Sequence, residues 1–324
     1  MVVLGSNVPC YKPLLGLVRR PPPGVPGKAS VSFPKDIPLV NDPRGTPTPI
    51  PCGQCIGCRL ERSRQWAIRL MKESKLHDRN SFLTLTYSDD HLPYHWYDST
   101  GKKITCPRPT LNLEDIQLFL KRLRKHFAPH RLRFFQCGEY GDENLRPHHH
   151  MILFGENFLK SREPAENSRS GFPQYMSPVL SELWGKGRCT ISDVTFESAA
   201  YTARYCLKKI SGPGQSFILR RAKPEYVTMS RNPGIASLYF EEYKDDLYPH
   251  DEIIPEIGRP ASLPPKYFDK LLEKVDPVLY ESVKKKRTEG LDFYSDPNST
   301  DTRLATRERV KHALIKNCLK RSIK

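Results

Sequence analysis

Arg146-Pro147-His148-His149-His150-Met151-Ile152-Leu153-Phe154-Gly155 begins as a histidine run and continues as an apolar one. Residues two apart on a β-strand share a face, so His148 and His150 project together and His149 projects to the opposite side. Upstream, Phe134-Phe135-Gln136-Cys137-Gly138-Glu139-Tyr140-Gly141 also reads as a strand ending in a turn. A hairpin between the two segments brings the Glu139 carboxylate beside the imidazole pair. Two imidazoles and one carboxylate with open coordination positions suit a divalent ion that works on phosphate. The competing reading is a solvated strand end with no ligand role.

A second element follows, Ser198-Ala199-Ala200-Tyr201-Thr202-Ala203-Arg204-Tyr205-Cys206-Leu207-Lys208-Lys209. Its alanines, and its lack of Gly and Pro, favour a helix. Tyr201 and Tyr205, at i and i+4, share one helix face, and Lys208 joins it. Both tyrosines also suit plain core packing. A tyrosine hydroxyl, with a pKa near 10, becomes an effective nucleophile only beside a cation and a metal-polarised phosphate.

Cys52-Gly53-Gln54-Cys55-Ile56-Gly57-Cys58 is a third cluster, with glycines that let several sulfurs converge. A structural zinc site needs a fourth ligand; Cys10 is the first choice because it ties down the arm before it, and Cys106 the second. Free thiols and an iron–sulfur cluster are the alternatives. The cluster motif calls for a cysteine at position 62 followed by proline, and the chain has Arg62-Ser63.

These motifs, with Pro51 to Arg59, Phe82-Leu83-Thr84-Leu85-Thr86-Tyr87 and Gly138-Glu139-Tyr140-Gly141, occur in an order that resembles the HUH endonucleases. Over most of its length the chain is similar to the gokushovirus (Microviridae) replication initiation proteins. The resemblance implies a two-tyrosine initiator of rolling-circle replication that nicks single-stranded origin DNA. Glu139, His148 and His150 would hold Mg²⁺ or Mn²⁺; Tyr201 and Tyr205 would attack, assisted by Lys208 of the Tyr-x-x-Lys pattern. Tyr201 has Arg204 in the matching place. The implied partners are the single-stranded viral origin and the host helicase and polymerase, and the implied setting is the host bacterial cytoplasm. A non-catalytic zinc-stabilised DNA-binding protein, or a metal-dependent nuclease using water, are the rival readings.

Composition points the same way. The 324 residues carry 52 Lys and Arg against 36 Asp and Glu, a formal charge of +16, the footprint of a polyanion-binding protein. No apolar run reaches the roughly 18–20 residues of a membrane span, and the first residues lack a signal-peptide layout. No P-loop occurs, so no helicase is implied.

The order strand, helix, strand, strand predicts an α+β fold: an HUH-endonuclease-like central antiparallel sheet with helices packed on one face. A Cys-rich N-terminal segment and a basic C-terminal extension flank it. The expected divisions are 1–58 (a Pro/Gly-rich arm with little regular structure and the expected zinc segment), 59–212 (the nicking–joining domain) and 213–324 (the extension). Within them, 59–77 reads as a helix whose Arg59, Arg62, Arg64, Arg69 and Lys72 face solvent or phosphate. Residues 81–87 read as a strand, and 88–111 as a loop or small hairpin whose His91, His95 and Trp96 stack on bases or cover the sheet edge. A helix capped by Asn112 follows. Residues 156–176 read as loop, 177–184 as a short helix, 187–196 as a strand and 217–229 as strand-like. The final basic helix, 303–324, is expected to anchor through Leu304, Val310, Leu314 and Ile315.

Overall fold

Leu83 and Leu85 alternate with Thr84 and Thr86, the period-2 pattern of a strand with unlike faces, and this segment lies at the middle of a seven-stranded sheet. The computed structural model of the chain describes residues 10–19, 30–33, 45–141, 144–168, 171–205, 221–248, 250–289 and 296–321, the side chains of 204–205 and 316–321 excepted. In chain order the strands and helices are β1 (Leu14–Arg19), β2 (Ser30–Ser32), β3 (Thr46–Ile50), α1 (Ile56–Ser74), β4 (Asn80–Thr86), β5 (His95–Tyr97), β6 (Lys103–Thr105) and α2 (Leu113–His126). Then come β7 (Arg133–Tyr140), β8 (Pro147–Phe154), β9 (Glu163–Ala165), β10 (Gln174–Met176), α3 (Pro178–Trp184), β11 (Cys189–Ser192) and α4 (Phe196–Tyr205). The described chain ends with β12 (Tyr226–Met229), α5 (Ser237–Leu247), α6 (Lys266–Val275), α7 (Pro277–Thr288) and α8 (Asp301–Arg321). Two compact units result: one from Ser63 to Leu271, the other from the described residues up to Arg62 together with those from Leu272 onward.

The fold is α+β. The large sheet has the order β12-β7-β8-β4-β11-β10-β9, and every pairing in it is antiparallel. One face buries Leu83, Leu85, Phe134, Met151, Leu153 and Ile191 under Ile116, Phe119 and Leu123 of α2 and Leu180 and Trp184 of α3. Asn112 caps α2 by accepting from the Glu114 N–H at 3.0 Å. The other face meets α1 through Trp66 on Phe135, with ring centres 4.9 Å apart, and α4 through Tyr201 on Phe82 at 6.5 Å. Helices therefore cover both faces, where one was expected. The signal was Phe134-Phe135: every residue of β7 is buried, and a strand buried on both sides needs a layer on each.

Other expectations also change. The first 51 residues are not all irregular, since β1 pairs with both β2 and β3. Pro47 and Pro49 are tolerated because β3 is an edge strand. Residues 156–176 supply two short strands, β9 and β10, at the far edge of the large sheet. The 88–111 segment does contain a hairpin, in which Trp96 donates its indole N–H to the Arg221 carbonyl at 2.9 Å. The strand expected over 187–196 shortens to β11, and the strand-like stretch expected over 217–229 is β12, its residues 217–220 lying outside those described. On α8, Leu304 is buried, but Val310 and Leu314 are exposed and anchor nothing.

The basic face of α1 is the clearest correction. Arg69 is buried between the rings of Trp66 and Tyr267, 4.0 and 3.8 Å from their centres, and donates to the Ile235 carbonyl. Lys72 is also buried and donates to the Ile254 carbonyl at 2.6 Å. Arg64 donates to Ser262. Residues 235–267 pack against what a helical wheel treats as the solvated side, so these cations serve the fold.

Glu73 near the end of α1 is buried and binds the Arg133 guanidinium, the Ala236 N–H at 2.6 Å and His77 at 3.4 Å. Burial alone would raise its pKa, but these bonds together hold it below the ordinary value of 4.5. A depressed carboxyl pKa contributes stability that is complete above the unfolded value and lost as pH falls through the folded one. Glu73→Gln should therefore cost about 3–5 kcal/mol, because it leaves a buried guanidinium unpaired. Urea denaturation at pH 7 measures the loss, and the gap from wild type should narrow as the pH is taken well below 4.5.

Candidate active site

The pairing of β7 with β8 sets Glu139 directly opposite His148, Gly138 opposite His149 and Cys137 opposite His150. The next pairing sets His150 opposite Thr84 of β4. Glu139 Oε1 consequently lies 2.6 Å from His148 Nε2 and 2.9 Å from His150 Nε2. The Glu139 oxygen and one nitrogen of each ring fall within 4.8 Å of one another, a group that could hold a metal ion. Glu139 and His150 are buried; the His148 side chain is 19% exposed and opens the group to solvent.

The donor set fits a cation. His148 Nδ1 lies 3.2 Å from the Arg146 carbonyl, which can only accept, so Nδ1 carries the proton. Nε2 then holds either a second proton or a metal, since a bare lone pair would face a carboxylate oxygen. His150 Nδ1 is held by the Thr84 hydroxyl at 3.1 Å, the kind of outer bond that orients a metal-binding imidazole. Glu139 Oε2 is buried with no hydrogen-bond partner among the described residues, an orphaned acceptor that a cation would satisfy. Without one, burial would raise the Glu139 pKa, but bonds from His148 and His150 pull it below the ordinary range. Burial pushes His148 toward neutrality, yet Glu139 outweighs it and raises its pKa; at His150 burial prevails and lowers it.

His149 does different work. Its ring is fully buried on the opposite face, 3.2 Å from the Tyr87 hydroxyl, which also bonds Asp115 at 2.9 Å. Burial, with the neighbouring imidazoles, pushes its pKa down to about 3. Gly138 opposite leaves room for it: a Cβ there would lie 3.1 Å from His149 Nδ1 and 2.9 Å from the Tyr226 ring.

Tyr201 on α4 reaches the group, its ring standing edge-on to His150 with centres 5.2 Å apart. Phe82 stacks on the same imidazole at 5.4 Å. The side chain of Tyr205 and all of Lys208 lie outside the described residues. One neighbour was missed in the sequence. Glu225, the residue before β12, is buried, accepts from the Tyr140 N–H at 3.2 Å and adds to the field that raises His148. It precedes a short strand far along the chain, and no local motif marks it.

In the other unit, Cys10, Cys52, Cys55 and Cys58 offer four sulfurs within 4.8 Å of one another. Cys10 Sγ lies 3.6 Å from that of Cys52 and 3.9 Å from that of Cys55. Backbone N–H groups of Tyr11, Cys52 and Cys55 point at the sulfurs from 3.3 Å. Burial pushes the Cys10 thiol up to about 11. Cys106 is elsewhere, donating to the Arg221 carbonyl.

Comparison with known proteins gives three relatives. The chain is 35% identical over 246 residues to "Replication-associated protein ORF2" of Spiroplasma virus 4, across 74% of this chain and 72% of that one. It is 32% identical over 230 residues to "Replication-associated protein VP4" of Bdellovibrio phage phiMH2K, across 68% and 66%. It is 33% identical over 235 residues to "Replication-associated protein ORF4" of Chlamydia phage 1, across 70% and 54%. Residues 80–210 match the family model of the ORF2-type replication-associated proteins. No solved structure matches the chain.

The two faces of β8 should separate in a titration with Mn²⁺. His150→Ala should weaken binding by at least about 100-fold, the upper range for losing even an outer partner of a metal ligand. His149→Ala should leave binding intact and lower stability by about 1–3 kcal/mol, because the buried Tyr87 hydroxyl loses a partner. Calorimetric titration and thermal unfolding of both variants check this.

Proposed function

Because the chain belongs to the replication-associated proteins of small phages, we propose that it is a rolling-circle replication initiator of the HUH type, nicking and rejoining single-stranded origin DNA. The observation that carries this reading is the Tyr201 ring set 5.2 Å from that of His150, within a convergent Glu139, His148 and His150 group. A phenol nucleophile and a metal site that polarises phosphate are the two parts such a reaction needs. The antiparallel sheet agrees with an HUH-like core, and we assign the chemistry to 59–212, between an N-terminal Cys-rich segment, 1–58, and a C-terminal extension, 213–324.

Glu139, His148 and His150 would hold Mg²⁺ or Mn²⁺, which supplies charge neutralisation at the scissile phosphate. Thr84 keeps the His150 ring turned toward it. Beside Thr84, an open groove of about 420 Å³, lined by Thr86, Arg188, Thr190 and Gln174 among others, offers a path for a single strand. The tyrosine oxygen attacks the phosphorus in line and the bond to the 3′ oxygen breaks. This leaves a 5′-phosphotyrosine and a free 3′-hydroxyl, which the host polymerase extends behind a host helicase. The second tyrosine cuts the regenerated origin, and the new 3′-hydroxyl attacks the first phosphotyrosine to close a circle. Each step exchanges one phosphoester for another, so no nucleotide hydrolysis is needed. Tyr201 and Tyr205 are the two nucleophiles, and Lys208 supplies the nearby cation.

The four cysteines we assign to structural zinc. A tetrahedral ion with bonds of about 2.3 Å spaces its sulfurs about 3.8 Å apart, which the 3.6 and 3.9 Å separations bracket. Metal analysis of the purified chain should find one zinc, lost in Cys52→Ser.

The deciding experiment incubates the protein with Mn²⁺ and a labelled single-stranded oligonucleotide from its own origin, then separates the products on a denaturing gel. A labelled band at protein mass should appear, vanish with EDTA and vanish in the Tyr201→Phe, Tyr205→Phe double variant. Each single variant should retain part of the cleavage. Cleavage with no covalent band would instead identify a nuclease that uses water.

A further inference from the structure

Away from the metal-binding group, at the opposite end of β7, lies a second cavity of about 420 Å³ whose charged lining is wholly cationic. Its walls are the turn after α2 and the turn after β12. They contribute Arg124, His130, Arg131 and Arg231, with Arg133 at the base, and no carboxylate among the described residues lines it. Elsewhere in this unit arginines are commonly matched: Arg133 with Glu73, Arg146 with Asp89, Arg162 with Asp193 and Arg259 with Glu256. Among the described residues no carboxylate forms an ion pair with Arg124, Arg131 or Arg231.

The walls are also held in place. Arg131 donates to the Asn232 carbonyl at 3.0 Å, and Arg133 to those of Pro233 and Gly234 at 2.9 and 3.2 Å. Phe134 N–H donates to the Ser230 hydroxyl at 3.1 Å, and Ser230 N–H returns a bond to the Phe134 carbonyl at 2.9 Å. Arg124 lies over the Phe134 ring, 5.7 Å from its centre. Arg124 is in the last turn of α2, where a cation offsets the helix dipole. That effect does not account for Arg131 and Arg231, which belong to other segments. A guanidinium anchored through one nitrogen keeps donors in a fixed fork that matches phosphate oxygens.

We propose that this cleft is a phosphate-binding subsite that holds the backbone of single-stranded DNA at a distance from the point of cleavage. The proposal rests on the nicking reading above. From Arg133 to Glu139 along β7 is about 20 Å at 3.3 Å per residue, equivalent to about six nucleotides at 3.4 Å per phosphate. The subsite therefore contacts DNA that the reacting group never touches. It contributes length-dependent affinity and places the strand without reading its bases.

The test uses the full chain and the double variant Arg131→Gln, Arg231→Gln, both positions being exposed. Binding of a 30-nucleotide single strand is measured by fluorescence anisotropy over a series of salt concentrations, with unchanged thermal unfolding as the control for folding. The expected result is weaker binding and a salt slope shallower by about 1.4, at about 0.7 per phosphate contact for single strands. An unchanged slope overturns the proposal. If inorganic phosphate raises the unfolding temperature of the wild type and not of the variant while the slope stays the same, the cleft takes a free phosphate and the backbone assignment falls. A wild type that binds the strand but forms no covalent adduct defeats the nicking reading and leaves the subsite standing. A wild type that binds no strand defeats both.

Discussion

Everything at the candidate site depends on the register of two neighbouring strands. Glu139 meets His148 because β7 and β8 pair at that position and no other. A slip of one residue would turn every side chain of a strand to the opposite face. It would bury His148 and His150 beneath α2 and α3 and place His149 where the cation is expected. The apolar runs on either side resist that slip. Phe134, Met151 and Leu153 fill one face, and Phe135 and Ile152 fill the other. The packing that stabilises the sheet also holds three ligand atoms within 4.8 Å of one another.

Layers on both faces of the sheet divide the work around that register. The layer of α2 and α3 is a continuous apolar core with one polar inclusion, the His149, Tyr87 and Asp115 chain. Lys186 closes it with an ion pair to Asp115 at 3.0 Å. On the other side, α1 and α4 cover only part of the sheet, leaving His148 accessible and a groove over Thr84, Thr86 and Thr190. Chemistry is thus confined to the half-covered face, and stability is concentrated on the filled one.

Local periodicity made the centre of this arrangement legible. The spacing of His148 and His150, the threonine–leucine alternation of β4 and the Asn112 cap each follow from rules that reach only a few residues. What stayed hidden was non-local. Arg69 and Lys72 look like solvated cations until residues 235–267 fold over them. Glu225 carries no motif, and its place beside β7 depends on β12 pairing across a long stretch of intervening chain. The short strands β9 and β10 escape notice because three residues are too few to show a period. The cysteines were a middle case. Spacing could group Cys52, Cys55 and Cys58, but only the folded chain could choose between Cys10 and Cys106.

The sulfur cluster has a consequence for how this protein can vary. It joins Cys10 to a group more than forty residues later, so the segment between is a loop fastened at both ends. Each doubling of such a loop adds only about 0.6 kcal/mol of closure cost. Connections between β1 and β2, and between β2 and β3, can then lengthen or shorten among related chains with little penalty, provided the cysteines and the paired strands remain. Sequence length in this region is nearly a free variable, whereas in the connection from β7 to β8 the register leaves almost no such freedom.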